Sequence, residues 1–287
     1  MEIPDLLGFL DLARLHRARG ELALESGDAA GIRSSLAGLG AMAGAFYRES
    51  TLITALVGLA VEREQLRLVA SMLESGVTDP SPEIVARLLP SEPLPVVLQR
   101  SLSAEALMFR DASRAVRLGA SEDLSLRQVL LAPFDGLIED DGLDFFAATI
   151  AATAEPWAAW RVREETGELD PGFWARLSPL PPRADEIVEK VAGVAASRQL
   201  ARLALRLAAT VGDLADPERL SDAPASPYSG ARPRIESGPD GRRVLVDPSA
   251  ERLWSLSNPG KELRRRPIFR WVLPPESERG APRSSVS

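Results

Sequence analysis

The chain has 287 residues with 34 basic and 41 acidic side chains, one His and no Cys. Lacking Cys, it can hold no disulfide, thiolate zinc site, iron–sulfur cluster or thiol nucleophile, and one His excludes any centre needing two imidazoles. Only Lys190 and Lys261 are Lys, so the other 32 basic residues are Arg, and lysine-dependent chemistry has two candidates. A net charge of −7 speaks against general nucleic-acid binding, which depends on cationic side chains. The charge is uneven. Residues 231–287 hold 12 basic and 7 acidic groups, leaving 22 and 34 in residues 1–230, so the two segments carry +5 and −12.

Residues 5–26 read as a first helix, with Leu12, Leu15, Ala18 and Leu22 recurring at helical spacing as its apolar face. Gly27 suits a left-handed cap and Asp28 can cap the helix that follows, from Ala29 to Tyr47. A third helix is expected from Thr51 to Ser75, closed by Gly76 and Pro80. Short connections make these three an up-down unit. Gly40 and Gly44 lie one turn apart in the second helix, where a neighbouring backbone can approach. Gly38-Leu39-Gly40 begins a dinucleotide-like glycine pattern, but the third glycine position is Ala43 and no strand precedes it, so it reads as packing. Prolines 80, 82, 90, 93 and 95 frame a short helix over 82–89.

Further helices are expected over 95–118, 121–134, 143–165 and 185–211, with Pro156 kinking or breaking the third of these. Residues 178–182 read as a proline-rich joint. Beyond Asp216 the helical period ends. Arg232–Glu236 and Arg243–Asp247 flank a Gly-Pro-Asp-Gly turn and read as a hairpin, with Arg252–Leu256 and Ile268–Leu273 as two more strands. The expected fold is therefore mostly α: an antiparallel multi-helix bundle or array with a small C-terminal antiparallel β module. The divisions are a helical domain (1–222), a β module packed on it (223–273) and a disordered tail (274–287).

No segment carries the run of about 20 apolar residues that spans a bilayer; Leu36–Tyr47 and Thr51–Val61 are separated by Arg48-Glu49-Ser50. The start, Met1-Glu2-Ile3-Pro4-Asp5, lacks a signal peptide's basic and apolar run. Cytoplasmic placement and an extracytoplasmic one after removal of a leader or anchor both stay open.

Candidate chemistry is sparse. His16 has no identifiable catalytic partner by local spacing and reads as a surface or half-buried structural residue. Asp135, Glu139, Asp140, Asp141 and Asp144 form the densest carboxylate group. Their spacing fails the calcium-loop template, and Asp141-Gly142 with Asp144 reads as a helix start whose carboxylates cap backbone N–H groups. Trp157, Trp160 and Trp174 read as fillers between packed helices rather than a ligand platform. Arg264, Arg265 and Arg266 with Phe269 and Trp271 form a basic, aromatic segment and the candidate partner-binding site. No catalytic, cofactor-binding or metal-ligating residue is assigned, and no cofactor is expected.

The C-terminal residues carry a resemblance. Ser226-Pro227-Tyr228-Ser229-Gly230, the Gly-Pro-Asp-Gly turn, Trp254–Lys261 and Ile268–Pro274 occur in an order similar to the ending of a loose group of uncharacterised bacterial envelope proteins of the planctomycete type. Residues 21–75 also resemble that group's early helices. The ending is similar to the C-terminal β-region of pseudopilins, whose last loop often binds calcium. Here that loop is Gly260-Lys261-Glu262-Leu263-Arg264-Arg265-Arg266, with one carboxylate against four cations, so the metal site is not carried over. The resemblance implies an envelope location and this architecture, with no activity. The expected function is a non-enzymatic helical protein-interaction or scaffold protein that binds another protein. No nucleic acid is expected, and a membrane only through a segment outside this chain. The alternatives are a carboxylate-dependent hydrolase using the Asp135–Asp144 cluster and a cytoplasmic helical-repeat adaptor.

Overall fold

The computed structural model describes residues 6–77, 79–117, 134–170, 172, 185–209, 220, 222–238, 240–258 and 267–274. Among these residues there are nine helices and one three-stranded antiparallel sheet near the C-terminus, so the chain is mostly α.

Helices α1 (Leu6–Ser26), α2 (Ala29–Arg48) and α3 (Leu52–Glu74) all pack against one another. Their joints follow the capping signals. Gly27 takes a φ of +71°, a conformation that ends α1 without a Cβ clash, and the Asp28 carboxylate accepts from the Gly31 N–H to start α2. Thr51 caps α3 by accepting from the Thr54 N–H. Gly40 meets the expected close approach: a Cβ there would strike the Leu88 carbonyl oxygen and the Gln65 amide. That amide donates to the Leu36 and Leu88 carbonyls, both at 2.9 Å, tying α2 and α3 to the end of the short helix α4 (Pro82–Leu88). Gly44 faces nothing within 4 Å.

The inward face of α1 differs from the expectation. Ala13, Gly20 and Ala23 are buried, whereas Leu12, Leu15 and Leu22 are 41, 66 and 65% exposed. The helix has apolar residues on two faces, and the face with small side chains lets it lie close to α2 and α3. The large leucines are left outside.

Helix α5 (Leu94–Arg117) packs on α6 (Asp135–Ala152), with Phe109, Phe145 and Phe146 between them. The start of α6 corrects the reading of the acidic cluster as a cap. The helix begins at Asp135, so Asp140, Asp141 and Asp144 are interior positions, and no side-chain capping hydrogen bond is made at Phe134. Pro156 breaks the chain as expected: α6 stops at Ala152 and α7 (Trp157–Glu165) restarts directly after the proline. The stacked Trp157 and Trp160 rings, 4.8 Å apart, are buried. Trp174, the helix expected over 121–134 (but for Phe134), the joint at 178–182 and the tail from 275 lie outside the described residues.

The long helix α8 (Asp185–Ala209) contacts α3, α4, α5 and α7 and supports the sheet. Strands β1 (Arg234–Ser237) and β2 (Arg243–Val246) pair in the register Ile235↔Leu245, and β3 (Arg270–Val272) adds with Leu245↔Trp271. The expected strand over 252–256 is instead helix α9 (Pro248–Ser257). Asp247 accepts from the Ala250 N–H and Pro248 occupies the first turn, a start signal that outweighs the local β-like composition. The sheet is fastened to α8 by the Ile268 N–H, which donates to Ser197 Oγ at 2.9 Å.

Candidate functional site

Two helices place ionisable side chains on their core-facing stripes. Glu62 of α3 lies between Leu59 and Leu66, and Arg198 of α8 lies between Val194 and Ala201, on core faces that are apolar apart from these two, Gln65 and Ser197. The two meet in a bidentate pair, with Arg198 Nε and Nη2 donating to the two Glu62 carboxylate oxygens at 2.5 Å each. Their side chains are 6 and 0% exposed. Arg198 Nη1 donates to the Glu92 carbonyl at 2.6 Å, and the Tyr47 hydroxyl donates to Glu62 Oε2 at 2.5 Å. The guanidinium also sits 5.7 Å from the Tyr47 ring centroid.

This cluster is satisfied internally. Burial pushes the Tyr47 phenol well above its ordinary value, and the Glu62 charge adds to that shift. Burial alone would lower the Arg198 guanidinium, but the hydrogen bonds and charge of Glu62 outweigh it and the net shift is upward. The pair is therefore a charged structural lock between α3 and α8. Arg100 extends it, donating to the Tyr47 carbonyl and to Glu92 Oε1 at 2.9 Å.

One turn further along α8 the environment opens. Arg198, Arg202 and Arg206 succeed one another at intervals of four and line one wall of a cleft of about 410 Å³. Leu94 and Pro95 at the start of α5 and the segment at Ala223, Pro224 and Pro227 form the other walls. Arg202 is half-buried and, among the described residues, makes one hydrogen bond, from Nη2 to the Pro90 carbonyl at 2.8 Å. Burial lowers its guanidinium from the ordinary arginine value, and the neighbouring Arg198 charge acts in the same direction against Glu62.

A second cleft, of about 530 Å³, lies between α3, α8 and α9. Its polar floor is Glu189, whose Oε1 accepts from the Tyr228 hydroxyl at 2.9 Å and from Asn258 Nδ2 at 2.6 Å. Tyr228 belongs to the Ser226–Gly230 segment, which is a junction. The Pro227 and Tyr228 carbonyls accept from the Trp157 and Ala158 N–H groups at the start of α7. Ser229 Oγ donates to the buried Asp247. The Ser226–Gly230 segment thus joins α7, α8 and α9.

The sequence-derived candidates are dispersed. Phe269 and Trp271 are buried in the core beside the sheet, so they do not offer an aromatic surface to a partner. The Trp271 indole donates to the Ile268 carbonyl at 3.2 Å. Arg264, Arg265, Arg266 and Lys261 lie outside the described residues. Glu139 is buried and pairs with Arg114 at 3.2 Å, while Asp140 and Asp144 are exposed on α6. Among the described residues no group of three or more His, Asp or Glu side chains is placed to hold a metal. His16 is half-buried with its ring over Gly38, and Lys190 is exposed and paired with Glu186 at 3.3 Å. No described helix is long and apolar enough to cross a membrane. Local spacing misses Glu62, Arg198 and Arg202, whose signal is an ionisable residue on or beside an otherwise apolar helical stripe. The chain matches no family model, no curated protein and no solved structure.

Proposed function

We propose that the protein is a non-enzymatic helical interaction protein that docks another protein on the outer face of α1. The observation that supports this reading is the exposure of Leu12, Leu15 and Leu22 on one face of that helix while Ala13, Gly20 and Ala23 face the core. Single exposed leucines are ordinary, but three on one face, with Ala18 and Arg19 between Leu15 and Leu22, make an apolar strip crossed by one cation. Such a strip suits a partner helix laid along it. The envelope location remains tied to the resemblance at Ser226–Gly230 and Trp254–Lys261.

The test is site-specific photocrosslinking in the native host with the reactive side chain at position 22. A discrete adduct with a second polypeptide is expected, and Leu15→Glu should abolish it. A crosslinker at the exposed Arg33 of α2 provides the background. An adduct at position 22 no stronger than that background would overturn the reading.

A further inference from the structure

The cleft beside Arg202 holds a cation that no carboxylate among the described residues pairs with. Of the charged side chains lining it, three are Arg and one is Asp222. Glu62 balances Arg198. Arg206 and Asp222 have partners of their own. Arg202 uses one of its five N–H donors, on an uncharged carbonyl, and no carboxylate among the described residues pairs with it. A half-buried guanidinium next to a second one is costly to hold in place, and an anion in the cleft would relieve that cost.

We propose that this cleft binds a small monocarboxylate with an apolar body. The head group would take the forked donors of Arg202, whose planar geometry matches a carboxylate. The body would lie against Leu94, Pro95, Leu203, Ala223, Pro224 and Pro227. A volume of about 410 Å³ falls within the range of small-molecule pockets. With Arg202 as the one cation left without a carboxylate among the described lining residues, the site favours a monoanion over a phosphate dianion, because the second charge of a phosphate would be desolvated without a counter-ion. The site is independent of the α1 strip and uses none of its residues.

The experiment titrates the intact protein with hexanoate, hexanol and hexyl phosphate by calorimetry, with the arginine Nε–H signals followed by NMR. Hexanoate should bind saturably with a Kd of about 0.1–1 mM, as expected for so small a ligand. Hexanol, of similar shape but uncharged, should bind at least about tenfold more weakly. Arg202→Gln should lose hexanoate binding by a similar factor while keeping the wild-type unfolding midpoint, and Arg202→Lys should retain part of it. In wild type the Arg202 Nε–H signal should shift on hexanoate addition, a readout that does not depend on any variant folding. Hexanol binding as tightly as hexanoate, tighter binding of hexyl phosphate, an unmoved Arg202 signal or unchanged binding in a folded Arg202→Gln protein would each overturn the proposal.

Discussion

Arg198 and Glu62 are 136 positions apart in sequence, yet they form two parallel 2.5 Å hydrogen bonds inside the protein. The pair joins the N-terminal helical unit to the late helix that carries the sheet. Its energetic character is asymmetric. Arg198→Met leaves a buried carboxylate without its counter-ion and should cost about 3–5 kcal/mol in denaturant unfolding. The combined replacement Glu62→Leu, Arg198→Met and Tyr47→Phe removes the charges and the dependent hydroxyl together, and should recover most of that loss. Additive losses across the series would show that the pair is not coupled.

The two tyrosines of the chain, Tyr47 and Tyr228, are both buried and both hydrogen-bonded to a carboxylate. Burial first, and the charges of Glu62 and Glu189 second, raise both phenols above the ordinary value of 10.0. A folded-state value raised above the unfolded one contributes stability that is fully present below pH 10 or so and is lost as pH rises through the folded value. An ultraviolet pH titration should therefore show almost no phenolate at pH 10, where exposed tyrosine would be half ionised. Both phenolates should then appear together with the loss of helical circular dichroism. A half-ionised signal near pH 10 in folded protein would contradict this.

Asp247 combines two roles at one buried position. Its Oδ1 accepts from the Ala250 N–H to start α9, and both of its oxygens accept from Ser229 Oγ at 2.9 to 3.0 Å. Asp247→Ala should cost about 1–3 kcal/mol in urea unfolding, from a lost cap and an orphaned hydroxyl. Asp247→Asn keeps an acceptor for both donors and should cost less.

What the sequence disclosed follows the range of the physics involved. Caps and punctuation are local, so Asp28, Thr51, the proline before α7 and the Gly-Pro-Asp-Gly turn locate their elements within a few residues. The same information was present for α9, where Asp247-Pro248 is a helix start that the short apolar run after it obscures. Helix α1 was ambiguous for another reason. Periodicity finds apolar faces, but it does not say whether leucines or small residues face inward when a helix must lie close to two others. Arg198–Glu62 and the Arg202 cleft depend on tertiary placement, which leaves no local spacing to read.

Gly40 and Gly44 give a matched test of close packing, because they occupy the same helix one turn apart and differ in what faces them. In a helix interior, Gly→Ala ordinarily gains up to about 1 kcal/mol from propensity alone. At Gly44 nothing lies within 4 Å of an added Cβ, so Gly44→Ala should raise stability by that amount. At Gly40 the added Cβ would meet the Leu88 backbone carbonyl and Gln65 Nε2, which are held together by the amide bridge to Leu36 and Leu88. Backbone gives way poorly, so Gly40→Ala should break that bridge, leave the Leu36 and Leu88 carbonyls under-satisfied and lower stability by about 1–3 kcal/mol. Opposite signs for the two substitutions in the same unfolding assay are the expected outcome. A stabilising Gly40→Ala would mean that α2 and α4 are not in contact at this point.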